Sequence, residues 1–246
     1  MAKYDSIASS IRSLRGRDFR HLWLSDICNS LAEQMEFGVL SWFVLVETDS
    51  PFLLGVFVSL RFAGTLFAPF YGVLADRYNR KYLFLAVRGS FIIISAIMLY
   101  ISLTDELKIW HILLLVSVFG CSRAFDGVMR ETILADLVQK DQLGNAAALT
   151  RMARDVTQMV GPILGGFMLS QYGMNYSYSI ILIIYSLAVL SGYIIQHPVR
   201  FNVKSSNSIL RDMSKSLTYI ANHRVLLALL STYVLLNGTA FTTNHG

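Results

Sequence analysis

Gly72-Val73-Leu74-Ala75-Asp76-Arg77-Tyr78-Asn79-Arg80-Lys81 joins two apolar runs, 52–71 and 82–103, each about twenty residues long. That length is enough to cross a bilayer. Hydrocarbon offers no partner for the exposed backbone of a turn, so this short charged link belongs at a membrane surface. Its three cations, Arg77, Arg80 and Lys81, mark that surface as the cytoplasmic one. A seam of this kind between two spans predicts an all-α, polytopic membrane bundle.

The rest of the chain repeats the pattern. The 246 residues are 54% hydrophobic and only 15% charged, with mean hydropathy +0.51. A soluble domain carries about 25% charge, and the alternative of a very apolar soluble bundle is set aside on span length. Apolar runs predict six spans at about 19–46, 52–75, 81–103, 109–137, 144–170 and 177–196, and a seventh at 225–241. Residues 1–196 are expected to form a six-helix transmembrane bundle, 197–223 a cytoplasmic linker, and 224–246 the seventh transmembrane helix. Within the linker, Asn207-Ser208 suits a helix cap, and Ile209, Leu210, Met213, Leu217 and Ile220 share one side. The expectation is an amphipathic helix on the inner membrane surface, with a solvated tether as the alternative.

Base counting orients the bundle. Of 21 Lys and Arg, 14 fall in segments expected inside, one (Lys108) in an outer turn, and six within helices. This asymmetry predicts a cytoplasmic N-terminus. The basic start leads into a helix too long for a signal core, so no cleavable leader is expected. The net charge of +5 is spread over helix ends rather than gathered in a solvated patch, which argues against nucleic acid as a partner. Cys28 and Cys121 lie in apolar helices without a CxxC spacing and are read as packing residues. The sequence has no P-loop, no HExxH, no Cys/His metal spacing and no Gly-x-Ser-x-Gly elbow, so neither a metal, a cofactor nor an enzyme activity is expected.

Ionisable groups at mid-membrane are costly and face a cavity or a partner. Span 1 carries Asp26, Glu33 and Glu36; Asp26 and Glu33 are seven apart and share a face with Asn29 and Ser30. At a rise of about 1.5 Å per residue, Glu33, Arg61 and Arg123 all lie roughly 20–22 Å from the inner surface. Asp126 and Arg130 follow Arg123 on one face of span 4. Two readings stand side by side. In one, these groups line a central cavity, and a buried carboxyl exchanges a proton between the two sides. Glu33 is then the first candidate, followed by Asp126, Asp26 and Glu36, with Arg61, Arg123 and Asn29 facing the substrate. In the other, Glu33 with Arg61, and Asp126 with Arg123 or Arg130, are closed pairs that hold helices together. Arg88, Arg151, Arg154 and Asp155 are read as inter-helix pairing.

At Gly72–Lys81 the sequence resembles the major facilitator superfamily signature Gly-x-x-x-Asp-Arg-x-x-Arg-Lys between helices 2 and 3. Arg123-Ala124-Phe125-Asp126-Gly127 is similar to its Arg-x-x-x-Gly element, and Gly161-Pro162-Ile163-Leu164-Gly165-Gly166 to the Gly-Pro-x-x-Gly-Gly element of its antiporter branch. With Arg17-Asp18-Phe19-Arg20-His21-Leu22-Trp23, Leu60-Arg61 and Ala135-Asp136-Leu137-Val138, the likeness is to the exporter branch that includes siderophore (enterobactin-type) and macrolide efflux proteins. The resemblance implies proton-coupled efflux of an amphipathic small molecule by alternating access, driven by the proton gradient across a bacterial-type inner membrane. It also implies twelve helices in two halves, so the expected partner of this chain is a second half of the same transporter. A half-length protein that pairs with another chain, and an uptake permease of the same fold, are the alternatives. Asp76 would cap a helix of that second half and hold the inner gate shut, with Arg77 and Arg80 tying the turn to carboxylates such as Asp136. Lys81 is expected to serve topology alone. Gly72 is expected to let helices approach closely, as are Gly161, Gly165 and Gly166, while Pro162 invites a bend.

Overall fold

The computed structural model describes residues 16–104, 106–139 and 141–196, without the side chains of Pro69 and Asp76. The expected linker helix and seventh span lie outside the described residues. The described chain is helical throughout: α1 (Arg17–Thr48), α2 (Pro51–Ala63), a 3-10 turn (Gly64–Phe67), α3 (Ala68–Arg77), α4 (Arg80–Leu103), α5 (Ile109–Leu137) and α6 (Leu143–Tyr193). No strand occurs among these residues.

Local chemistry sets the boundaries. Ser50 caps α2 by accepting from Leu53 N, with Pro51 in the first turn, where a missing N–H costs nothing. Asn79 is extended and its side chain accepts from Lys81 N, so the Gly72–Lys81 seam turns on only two residues, Tyr78 and Asn79. α6 is continuous over the fifth and sixth expected spans except at Gly173, whose φ of 81° and ψ of −178° break the helix within the expected 172–175 turn. Only glycine takes that backbone without strain.

One expectation needs correction. Span 2 is not one helix: α2 tightens into the 3-10 turn before α3, which carries Pro69 in its first turn. Gly64 and Gly120 abut there; a Cβ on Gly120 would stand 2.6 Å from Leu60 O, so the kink seats this segment on α5. By length and composition, α4, α5 and α6 qualify as spans among the described residues. The 32-residue α1 is long enough, but it buries Ser25, Asp26, Asn29, Ser30 and Glu36 in the bundle. Its polar groups face inward, which is where a membrane helix must put them.

α1 runs through the middle of the bundle and packs chiefly on α6, which also meets α4, while α5 joins α2, α3 and α4. Ala32, Met35, Val39 and Val44 of α1 form one core with Phe57, Phe91, Phe119, Tyr178 and Tyr185. A smaller core near the seam holds Phe19, Leu22, Ala75, Phe84, Met129 and Ile133. Large apolar side chains such as Leu66, Ile93, Ile163 and Ile183 point outward. An apolar exterior over a polar-cored helix is the arrangement expected in lipid.

Candidate transport site

The seam is tied down by its bases. Arg80 Nη1 lies 2.7 Å from Asp136 Oδ2 at the end of α5, and its Nε reaches Ala75 O at 3.4 Å. Lys81 donates to Ile195 O just beyond α6 and stands 5.5 Å from the Tyr193 ring centre. Lys81 therefore fastens α4 to the end of α6, beyond the topological role expected of it. Arg77 is half-buried at the end of α3. The Asp76 side chain lies outside the described residues. Among the described residues a Cβ on Gly72 would meet nothing within 4 Å.

The intramembrane charges resolve into separate groups. Glu33, the first of the carboxyl candidates, is shared by two arginines from different helices. Arg61 Nη2 lies 3.2 Å from Glu33 Oε1 and 3.0 Å from the Glu33 backbone oxygen, and Arg123 Nε donates to the same Oε1. Arg61 is sandwiched between Phe37 and Phe119, at 4.9 and 5.0 Å from the ring centres, and Arg123 lies over Phe62. The three groups placed at one level by residue counting thus meet.

Asp126 does not pair with Arg123 or Arg130. It is held by Arg88, whose Nε lies 2.9 Å from Asp126 Oδ1 and whose other nitrogens donate to Asp26 Oδ1 and Ser25 Oγ. Arg88 is 1% exposed and faces the Phe84 ring at 4.0 Å. The sequence marked it as a pairing residue; the structure makes it the link between α1, α4 and α5. A residue on a neighbouring helix reached Asp126 because helix azimuth, which spacing along one chain does not supply, decides which charges face.

Glu36 differs from the other three. It is 3% exposed, and its hydrogen-bond partners are two phenols: Tyr185 OH at 2.9 Å and Tyr178 OH at 3.4 Å. No ion pair to it is formed among the described residues. Sequence reasoning placed it last and missed both tyrosines; the available signal was their seven-residue spacing, which puts two hydroxyls on one face of α6. Asn29 is buried, and its Oδ1 finds no hydrogen-bond partner among the described residues.

The glycine element packs α6 on α1. A Cβ on Gly165 would stand 2.5 Å from Met35 O, one on Gly161 would collide with Gln34, and one on Gly38 would stand 2.8 Å from Pro162 Cα. Ser30 and Thr157 close the same contact with a hydroxyl pair at 2.6 Å. Gly166 takes no part, since a Cβ there meets nothing within 4 Å. It opens instead onto an apolar cleft of about 540 Å³ lined also by Gly38, Ser41, Trp42, Leu54 and Pro162.

An apolar exterior, buried and partnered charges and an open apolar cleft are the features of a polytopic membrane protein. Residues 8–244 match the transmembrane secretion effector family, and the chain belongs to that family, within the major facilitator superfamily. It is 21% identical to macrolide efflux protein A of Streptococcus pyogenes over 218 residues, covering 86% of this chain and 53% of that protein. It is 23% identical to macrolide efflux protein A of Enterococcus faecalis, covering 67% and 52%. It is 24% identical to the staphyloferrin A transporter of Staphylococcus aureus, covering 61% and 38%. The chain thus spans about half the length, or less, of these curated relatives.

Proposed function

We propose that this chain forms the first half of a proton-driven exporter that moves an amphipathic small molecule, of the siderophore or macrolide kind, out across a bacterial inner membrane, with its N-terminus in the cytoplasm. Family membership and the names of the relatives support export of such a molecule. The apolar cleft beside Pro162 and Gly166 suits the apolar part of such a substrate, and Arg123, partly open at 26% side-chain exposure, suits its polar groups.

The observation that carries the proton role is the setting of Glu36. Protonating Glu33, Asp26 or Asp126 would weaken an arginine pair in a medium where a stranded charge costs several kcal/mol. Glu36 gains or loses a proton against two hydroxyls that both donate and accept, so neither state strands a cation. Glu36 thus replaces Glu33 as the leading carrier. In energised vesicles holding the full-length parent, Glu36→Gln should abolish uphill efflux driven by a proton gradient while downhill substrate exchange persists. Undiminished uphill efflux in that variant sinks the assignment.

A further inference from the structure

Two arginines near the seam end of the bundle converge on one acid from different helices. Arg130 on α5 and Arg154 on α6 both approach one carboxylate oxygen, Glu131 Oε1, at 3.4 and 3.7 Å. Each keeps a buried Nε without a hydrogen-bond partner among the described residues. Glu131 is itself 58% exposed and held at long range, whereas Asp26, Glu36 and Asp126 are buried. Asp126, four residues before Arg130, is taken by Arg88. Arg151, one helical turn before Arg154, adds a further cation, and Asp155 beside Arg154 adds an acid. A methyl on Gly127 would meet nothing within 4 Å, which leaves open space between Arg123 and Arg130 on one face of α5.

We propose that Arg130 and Arg154 form an oxyanion-binding site, occupied loosely by Glu131 when empty and by a carboxylate or phosphate group when loaded. The guanidinium is the side chain best matched to such groups, because its donors form a rigid fork. Here two forks converge from different helices, and the weak internal ligand shows that a carboxylate oxygen fits between them. The exposed Glu131 can swing out, leaving the Nη2 groups of both arginines to the incoming anion. The ligand is either an acidic group of the exported molecule or the phosphate of a lipid headgroup. Binding at this site does not depend on proton coupling at Glu36, and only its use in export rests on the exporter reading.

The test uses the full-length parent purified in dodecyl maltoside, with citrate as the soluble oxyanion and phosphatidylglycerol in mixed micelles as the lipid one. Binding is read by isothermal titration. Arg130→Gln with Arg154→Gln should weaken binding tenfold or more, the scale of one lost charge-assisted hydrogen bond. Arg130→Lys with Arg154→Lys keeps the charge and loses the fork, and it should fall between that double variant and the parent; it also serves if the glutamine variant does not fold. Glu131→Gln removes the internal competitor and should tighten binding by about two- to fivefold, a gain that a purely structural cluster would not produce. Citrate binding in lipid-free micelles assigns the site to a soluble ligand; binding of phosphatidylglycerol alone assigns it to lipid. Equal binding of both probes by parent and arginine variants, or no binding of either by the parent, overturns the proposal. Glu36→Gln should leave citrate binding unchanged, so failure of the proton assignment and failure of this site are read separately.

Discussion

Replacing Arg88 with methionine tests whether the Asp26–Arg88–Asp126 group holds the bundle together. The guanidinium is almost fully buried, bonds Asp126 at 2.9 Å, and donates to Asp26 and Ser25. Methionine fills much of its volume, so the cavity term is small, and the loss comes from two buried carboxylates left without the cation that bonds them both. Removing one partner of a buried pair costs about 3–5 kcal/mol. At about 1.4 kcal/mol per decade, that lowers the folded-to-unfolded ratio by roughly two to three and a half powers of ten. The measurement is reversible unfolding of the full-length parent in mixed detergent micelles, followed by helicity. Adding Asp26→Asn and Asp126→Asn removes the stranded charges and should restore more than half of the lost stability, because uncharged replacements of a buried ion group are often close to neutral. A loss below about 1 kcal/mol for Arg88→Met, or a triple variant less stable than the single one, would refute the reasoning.

Two further predictions address packing and the seam. Gly165→Ala should destabilise by about 1–3 kcal/mol, since the new methyl presses on Met35 O and backbone cannot yield as a rotamer can. Gly166→Ala in the same motif should fall within about 0.5 kcal/mol of the parent in the same unfolding assay. At the seam, Arg80→Ala removes a pair whose side chains are 17% and 19% exposed, and should cost about 0.5–1 kcal/mol at low salt. Repeating the titration at 1 M salt should shrink that difference, because the screening length falls to about 3 Å.

The spans and their seam were legible because lipid leaves the backbone few choices. A chain of apolar runs must become helices, and the charged or glycine-bearing links between them must fall at the surfaces. That reasoning found the Tyr78–Asn79 link and the break at Gly173. It did not find the 3-10 turn at Gly64–Phe67, although Pro69, in the first turn of α3, carried the signal. It also gave no warning that a Cβ on Gly72 would meet nothing within 4 Å among the described residues while Gly165 is pressed on a carbonyl. Both are glycines in motifs; only the crossing of a neighbouring helix tells them apart.

The same limit governs the charges, and it shapes what they can do. Rise per residue is fixed, so depth is readable, and Glu33, Arg61 and Arg123 meet as their counted depths require. Azimuth is not readable across helices, so Arg88 and the two tyrosines entered only with the structure. Their placement gives α1 two unlike contacts with α6. Before Gly173, α1 lies on Gly161 and Gly165, a backbone contact with no ionisable member. After Gly173, α1 is joined through Glu36 to Tyr178 and Tyr185, and through Ser25 to Ala188 O. A change of charge at Glu36 therefore falls on the second contact alone. The arginine-held carboxylates keep α1, α2, α4 and α5 in register meanwhile, because each is already matched to a cation. On the proposed reading, the break at Gly173 would let the two segments of α6 respond separately, and a proton on Glu36 would become a difference between two helix contacts. That differential contact between two states is what any ligand-driven conformational change requires.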